Sequence, residues 1–226
     1  MCFSLEADLV AGALVLPVGV LALREVRAPR ELPLAALPLL LAAHQLTEAV
    51  VWAGVEGRVP DQAAHVAAVA YVVVALPLLP TLVPAAVLLV ARSGRRRWVA
   101  PFLALGAVVT AHLARLVVEN GVRVEAHPHA LVYRIGLHDP ELWTGLYVLA
   151  TMGACLVAGH RLVVAFGVVN LVGLTVVALA YRDAFASFWC LYAALSSLLV
   201  LAHLVHSRPG PGASAGARPG ARTAAA

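Results

Sequence analysis

Apolar residues in this chain come in long unbroken runs, separated by short polar segments rich in arginine, glycine and proline. Runs of that kind seek hydrocarbon on every side, whereas helical or strand spacing would mark a single buried face. A helix needs about 20 apolar residues to cross roughly 30 Å of lipid. Seven segments qualify, at about 7–23, 32–54, 64–91, 98–118, 140–158, 162–180 and 185–206. The tight junction at Gly159, His160 and Arg161 offers a helix C-cap and a charged stop. Pro77, Pro80 and Pro84 predict a kink in the third helix near mid-bilayer. Such breaks line cavities in some transporters, although a transmembrane proline is more often a packing kink. Alternating apolar residues on either side of His127, Pro128 and His129 predict a short hairpin over the outer face. The expected organisation is one transmembrane domain, 1–206, followed by a disordered Gly/Pro/Ala/Arg cytoplasmic tail, 207–226.

Composition agrees. Hydrophobic residues make up 62% of the chain and charged residues 12%, against roughly a quarter charged in a soluble domain. That leaves too little polar surface to coat a water-soluble globule. A net charge of +4 would suggest nucleic acid in a soluble protein. Here all 16 basic residues are arginine; Arg115 lies inside a helix, and most of the others gather in the loops on one side. Arg24, Arg27, Arg30, Arg92, Arg95, Arg96, Arg97, Arg161, Arg208, Arg218 and Arg222 fall on that side; Arg58, Arg123, Arg134 and Arg182 fall opposite. The positive-inside rule then puts the amino terminus outside and the carboxyl terminus in the cytoplasm of a multi-pass cell-membrane protein. Nucleic acid is set aside as a partner, and Arg95 to Arg97 are assigned to topology rather than to lipid headgroups. Glu6 and Asp8 precede the first run with no basic residue, unlike a cleavable signal, so that run is taken as a retained helix.

Polar side chains inside the spans are the informative ones, because each costs a few kcal/mol in hydrocarbon and turns to the bundle interior. In the second helix His44, Glu48 and Trp52 share a face, with Gln45 beside it. In the fourth, His112, Arg115 and Glu119 form a stripe. Ser187, Trp189 and Cys190 open the seventh helix, and Asn170 sits near the middle of the sixth. Depth counted along each helix brings Glu48, His112, Arg115, Ser187 and Cys190 into one outer layer. Glu48 is expected to pair with Arg115 or His112. The alternative is a structural ion pair that only fixes packing. His44 alone is more often a hydrogen-bonded core histidine, and Trp52, Trp98 and Trp143 are interfacial anchors by default. Cys2 and Cys190, both expected outside, are candidates for a disulfide if their Cα atoms lie within about 7 Å. Cys155 is expected to stay reduced.

The motifs resemble those of an uncharacterised bacterial family of small seven-helix membrane proteins. They are the opening Met1-Cys2-Phe3-Ser4, Arg30 to Ala35, Gln45 through Glu48 to Trp52, Phe166 to Asn170, and Phe185 to Cys190. The resemblance covers nearly the whole chain before the tail. It implies no activity, but it groups Cys2, Glu48, Trp52, Asn170, Trp189 and Cys190.

Function is therefore expected to be non-enzymatic: binding, sensing or passing a small ligand, ion or lipid at an outward-facing polar site, with no cofactor. One alternative is a membrane-embedded, metal-dependent hydrolase of the ceramidase-like kind. His203 and His206, three residues apart, depart from the i, i+4 pair such enzymes use. Another is haem held between His44 and His112 or His203. No phosphate-binding glycine loop, catalytic serine motif or Cys-x-x-Cys is present.

Overall fold

The computed structural model describes residues 4–127, 130–180, 192 and 194–206. Among them are seven helices: α1 (Leu5–Arg24), α2 (Leu32–Val55), α3 (Asp61–Val90), α4 (Arg96–Asn120), α5 (Pro140–Val157), α6 (Arg161–Ala180) and α7 (Leu198–His206). Five of these, α1 to α5, extended in α2 and α4 by a short 3-10 turn, are long and apolar enough to cross a membrane. This is the expected helix bundle of a membrane protein. Large apolar side chains such as Leu14, Val108 and Val172 point outward, where a soluble protein would place charge.

α2 is the central helix. It packs on α1, α3 and α7, and buried residues run around most of its circumference. α3 packs in turn on α4 and α5, α5 also on α4 and α6, and α6 on α7. The hairpin is present between α4 and α5, with β1 (Arg123–His127) antiparallel to β2 (Ala130–Arg134). It does more than lie over the surface, because Ala130 is buried and Leu131 and Ile135 join the main core. Asn120, closing α4, donates from its side-chain amide to the Ile135 carbonyl at 2.9 Å and ties the hairpin's exit to the helix.

The proline-rich third span breaks as its sequence requires. Pro77 has no backbone donor, and residues Val74–Leu78 widen into a π turn. In hydrocarbon the carbonyls so released need other partners. The Tyr147 hydroxyl of α5 donates to the Ala75 carbonyl at 2.7 Å, and the Thr110 hydroxyl of α4 reaches the Pro77 carbonyl. Thr81 and Thr110 share a further hydrogen bond of 2.8 Å. Gly106 of α4 lies against the same stretch, where a Cβ would come within 1.9 Å of the Pro80 carbonyl oxygen. The kink is thus held by side chains of the two neighbouring helices.

Gly106→Val should force α3 and α4 apart and cost roughly 1–3 kcal/mol, read as a lower unfolding temperature in detergent. Gly145→Ala in α5, where a Cβ meets nothing within 4 Å, should leave that temperature unchanged or raise it. In the hairpin the Arg134 guanidinium contacts Glu125 Oε2 at 3.0 and 3.1 Å and holds that carboxyl below its usual range. A lowered folded-state pKa stabilises above the unfolded value and is lost as pH falls through the folded one. Hydrogen exchange across residues 123–134 should stay slow at neutral pH and quicken only in acid. Arg134→Gln should move that onset up toward the ordinary glutamate range.

Candidate functional site

The buried face of α1 is a stripe of small residues with one acid in it: Asp8, Ala11, Gly12, Val15, Gly19 and Ala22. The three-and-four spacing is a helix-packing seam, and the small side chains let α1 approach α2 closely. A Cβ at Gly19 would lie 2.5 Å from the Leu39 backbone, and one at Gly12 would lie 2.6 Å from the Leu46 side chain. The same antiparallel register carries Asp8 to the level of Glu48, while Glu6, two residues earlier, faces outward. Glu48 and the indole of Trp52 both act electrostatically on Asp8. Trp52 stops short of full hydrogen-bond geometry, since neither Asp8 oxygen has a bonded partner.

This end of α2 is polar and dry. Asp8 is 1% exposed, His44 2%, and Gln45 and Glu48 0%. His44 lies one turn deeper than Glu48 and stacks on Tyr71 of α3 with ring centroids 3.9 Å apart and planes 14° from parallel. Tyr71 stacks in turn on Tyr133 of β2, at 4.5 Å and 20°. Three rings from two helices and the hairpin thus close one side of the polar group. Both Asp8 oxygens, both His44 ring nitrogens and both Gln45 amide atoms lack a hydrogen-bond partner among the described residues. Interiors pair nearly all such atoms, so an orphaned group of this size stands apart from the rest of the core.

The expected pairing of Glu48 with Arg115 or His112 does not form. Arg115 pairs with Glu119 on its own helix at 3.5 Å, with both side chains more than half exposed. His112 stacks on Trp143 of α5, with centroids 3.7 Å apart and planes 7° from parallel. The reason is that α3 stands between α2 and α4. Arg115 is also only about a turn and a half from the end of α4, close enough to snorkel to the interface. The outer layer expected to join helices two and four is therefore replaced by one between α1, α2, α3 and the hairpin.

The other sequence candidates fall elsewhere. Asn170 donates to the Phe166 carbonyl and to Ser196 Oγ, each at 2.8 Å, fastening α6 to the segment that leads into α7. It borders a void of about 30 Å³ beside Thr151, the size of one water. His203 packs beside His160, with ring centroids 5.0 Å apart, and His206 bonds the Ala202 carbonyl. Neither His112 nor His203 is brought to His44. No group of three or more metal-ligating side chains gathers among the described residues. Cys155 is a buried free thiol, packed where a Cβ at Gly167 would meet it. Cys2, Ser187, Trp189 and Cys190 lie outside the described residues, and with them the expected bridge and the start of the seventh span.

A model described as a family of unknown function, DUF6629, matches residues 1–215. The chain belongs to that family. The match agrees with the uncharacterised family expected from the motifs, and no curated protein and no solved structure matches the chain.

In this DUF6629 member, sequence reasoning reached Glu48 and Trp52 but missed Asp8, Tyr71 and Tyr133. Asp8 had a legible signal, since it shares the small-residue stripe with Gly12 and Gly19. Tyr133 had none, because nothing local tells which face of a two-stranded hairpin turns inward. Tyr71→Ala should remove the middle ring and cost roughly 3–5 kcal/mol, with hydrogen exchange quickening in the hairpin as well as in α3. Tyr71→Phe should keep the stack and the hairpin's protection.

Proposed function

We propose that this integral membrane protein is a non-enzymatic binder that takes up a small cation or a proton at the Asp8–Glu48 site. Asp8 carries the reading: a carboxylate 1% exposed, with neither oxygen hydrogen-bonded, within the electrostatic reach of the buried Glu48. A buried Asp8 carboxylate with neither oxygen hydrogen-bonded requires positive charge beside it, which a metal cation, an ammonium group or a proton can supply. Gln45, one turn deeper, adds a neutral amide oxygen, the kind of donor that accepts an ion without adding charge. With the arginine count setting orientation, the site would open toward the outside of the cell membrane.

The test is a thermal-unfolding series on purified protein in an uncharged detergent, with sodium, potassium, calcium, magnesium and methylammonium salts at matched ionic strength, and across pH. One of these should raise the unfolding temperature, by an amount equivalent to about 2.7 kcal/mol at a hundredfold excess over its dissociation constant. Asp8→Asn and Glu48→Gln should each abolish that response while remaining folded. A wild-type protein indifferent to every cation and to pH, or variants that respond as wild type does, would overturn the proposal.

A further inference from the structure

At the opposite end of the bundle, three connections and the end of α7 enclose a cavity of about 340 Å³. Its wall is basic. Arg27 and Arg30 reach it from the α1–α2 connection, Arg92 and Arg96 from the α3–α4 connection, and His160 and His203 form its histidine side. Glu25 and Glu31 are the only carboxylates in the lining, against four guanidiniums, and both are engaged with Arg27. Glu25 pairs with its side chain at 3.6 Å, and Glu31 accepts its backbone N–H at 3.0 Å. Arg96 makes one long contact, 3.4 Å, to the Leu89 carbonyl. Arg30 and Arg92 have no carboxylate partner among the described residues.

Arginines on this side of the chain satisfy a topology rule wherever they stand in the loops. Topology does not require that they converge on one concavity, and here local structure makes them converge. Gly159 at φ +82° turns the chain between α5 and α6 with no side chain, and a Cβ there would meet the stems of Arg95 and Arg92 at 3.0 and 3.5 Å. His160 Nε2 is fixed on the Val90 carbonyl at 3.0 Å, which sets its ring against His203 and the α3–α4 connection. Planar guanidinium forks around a pocket with imidazoles at one wall match the tetrahedral oxygens of a phosphate, which accepts two hydrogen bonds from each fork.

We propose that this cavity binds a phosphate group, carried either by a lipid headgroup or by a small soluble anion. It is a separate site from the carboxylate pair and does not depend on it. The full-length protein in uncharged detergent would be titrated with inorganic phosphate against chloride at matched ionic strength. In a second arm it would be titrated with micelles doped with phosphatidic acid against the same micelles doped with diacylglycerol. Unfolding temperature reads both arms, and native mass spectrometry counts retained lipid. Stabilisation by phosphate alone assigns a soluble ligand, by phosphatidic acid alone a headgroup, and by both a phosphate site open to either.

The double variant Arg30→Gln with Arg92→Gln should need at least about tenfold more ligand for the same shift. Should it fail to fold, Arg92→Lys, which keeps the charge and removes the fork, should show a smaller loss of the same kind. Arg97→Gln is the control, because Arg97 lies outside the cavity over the Trp98 ring at 5.6 Å, and it should titrate as wild type. No stabilisation in either arm, or an equal loss in Arg97→Gln, would leave only a diffuse basic surface and overturn the site.

Discussion

Hydrocarbon offers no hydrogen bond, so every polar group carried into the bundle must be answered by the protein itself or by what it binds. The architecture follows from how each such group is met. Where Pro77 opens the third span, Tyr147 and Thr110 supply hydroxyls to the freed carbonyls. The break could not be moved along α3 without losing both donors. The amide of Asn170 is met across the bundle by Ser196 and within its own helix by Phe166. The central position of α2 has the same origin. A helix with His44, Gln45 and Glu48 on its inner reaches cannot face lipid there, and α1, α3 and α7 cover it.

Seven helices, five of them long and apolar enough to span, the proline break and the hairpin were legible in the sequence, because each is written in a run of neighbouring residues. Span length is set by bilayer thickness, and proline chemistry acts on the next turn, so neither needs knowledge of the fold. Partner choice is different. Depth along a helix can be counted, and it put Glu48 and His112 at similar levels, but depth says nothing of which helices touch. The arrangement placed α3 between them, and Arg115 found Glu119 four residues on, a contact that costs no tertiary rearrangement. Asp8 was readable in principle from its stripe with Gly12 and Gly19, whereas the stacking of Tyr133 on Tyr71 depends on a hairpin packing that no local pattern encodes.

The two ends of the bundle have opposite chemistry. One gathers carboxylates, an amide and aromatic rings under a hairpin. The other gathers arginines and histidines around an open cavity. The first is built from α1, α2, α3 and the hairpin, the second from three connections and the end of α7. The difference lies in solvation. Arginines at the mouth of a cavity remain partly hydrated and cost little, and their convergence is informative only because topology alone would not produce it. Carboxylates enclosed among helices are not hydrated, and their presence demands a reason at once.

That reason is hard to find in packing. α1 and α2 already interlock through Gly12, Gly19 and the small side chains between them, and the ring stack already closes the α3 side. Replacing a buried charged group by an apolar one of similar size is commonly neutral or stabilising, so a leucine at position 8 would serve the seam at least as well. A fold that leaves Asp8, His44 and Gln45 without hydrogen bonds among the described residues, while giving close donors to the freed carbonyls of α3, carries a cost at one point that packing does not explain. In the proposed reading, positive charge beside Asp8 turns that liability into an attraction.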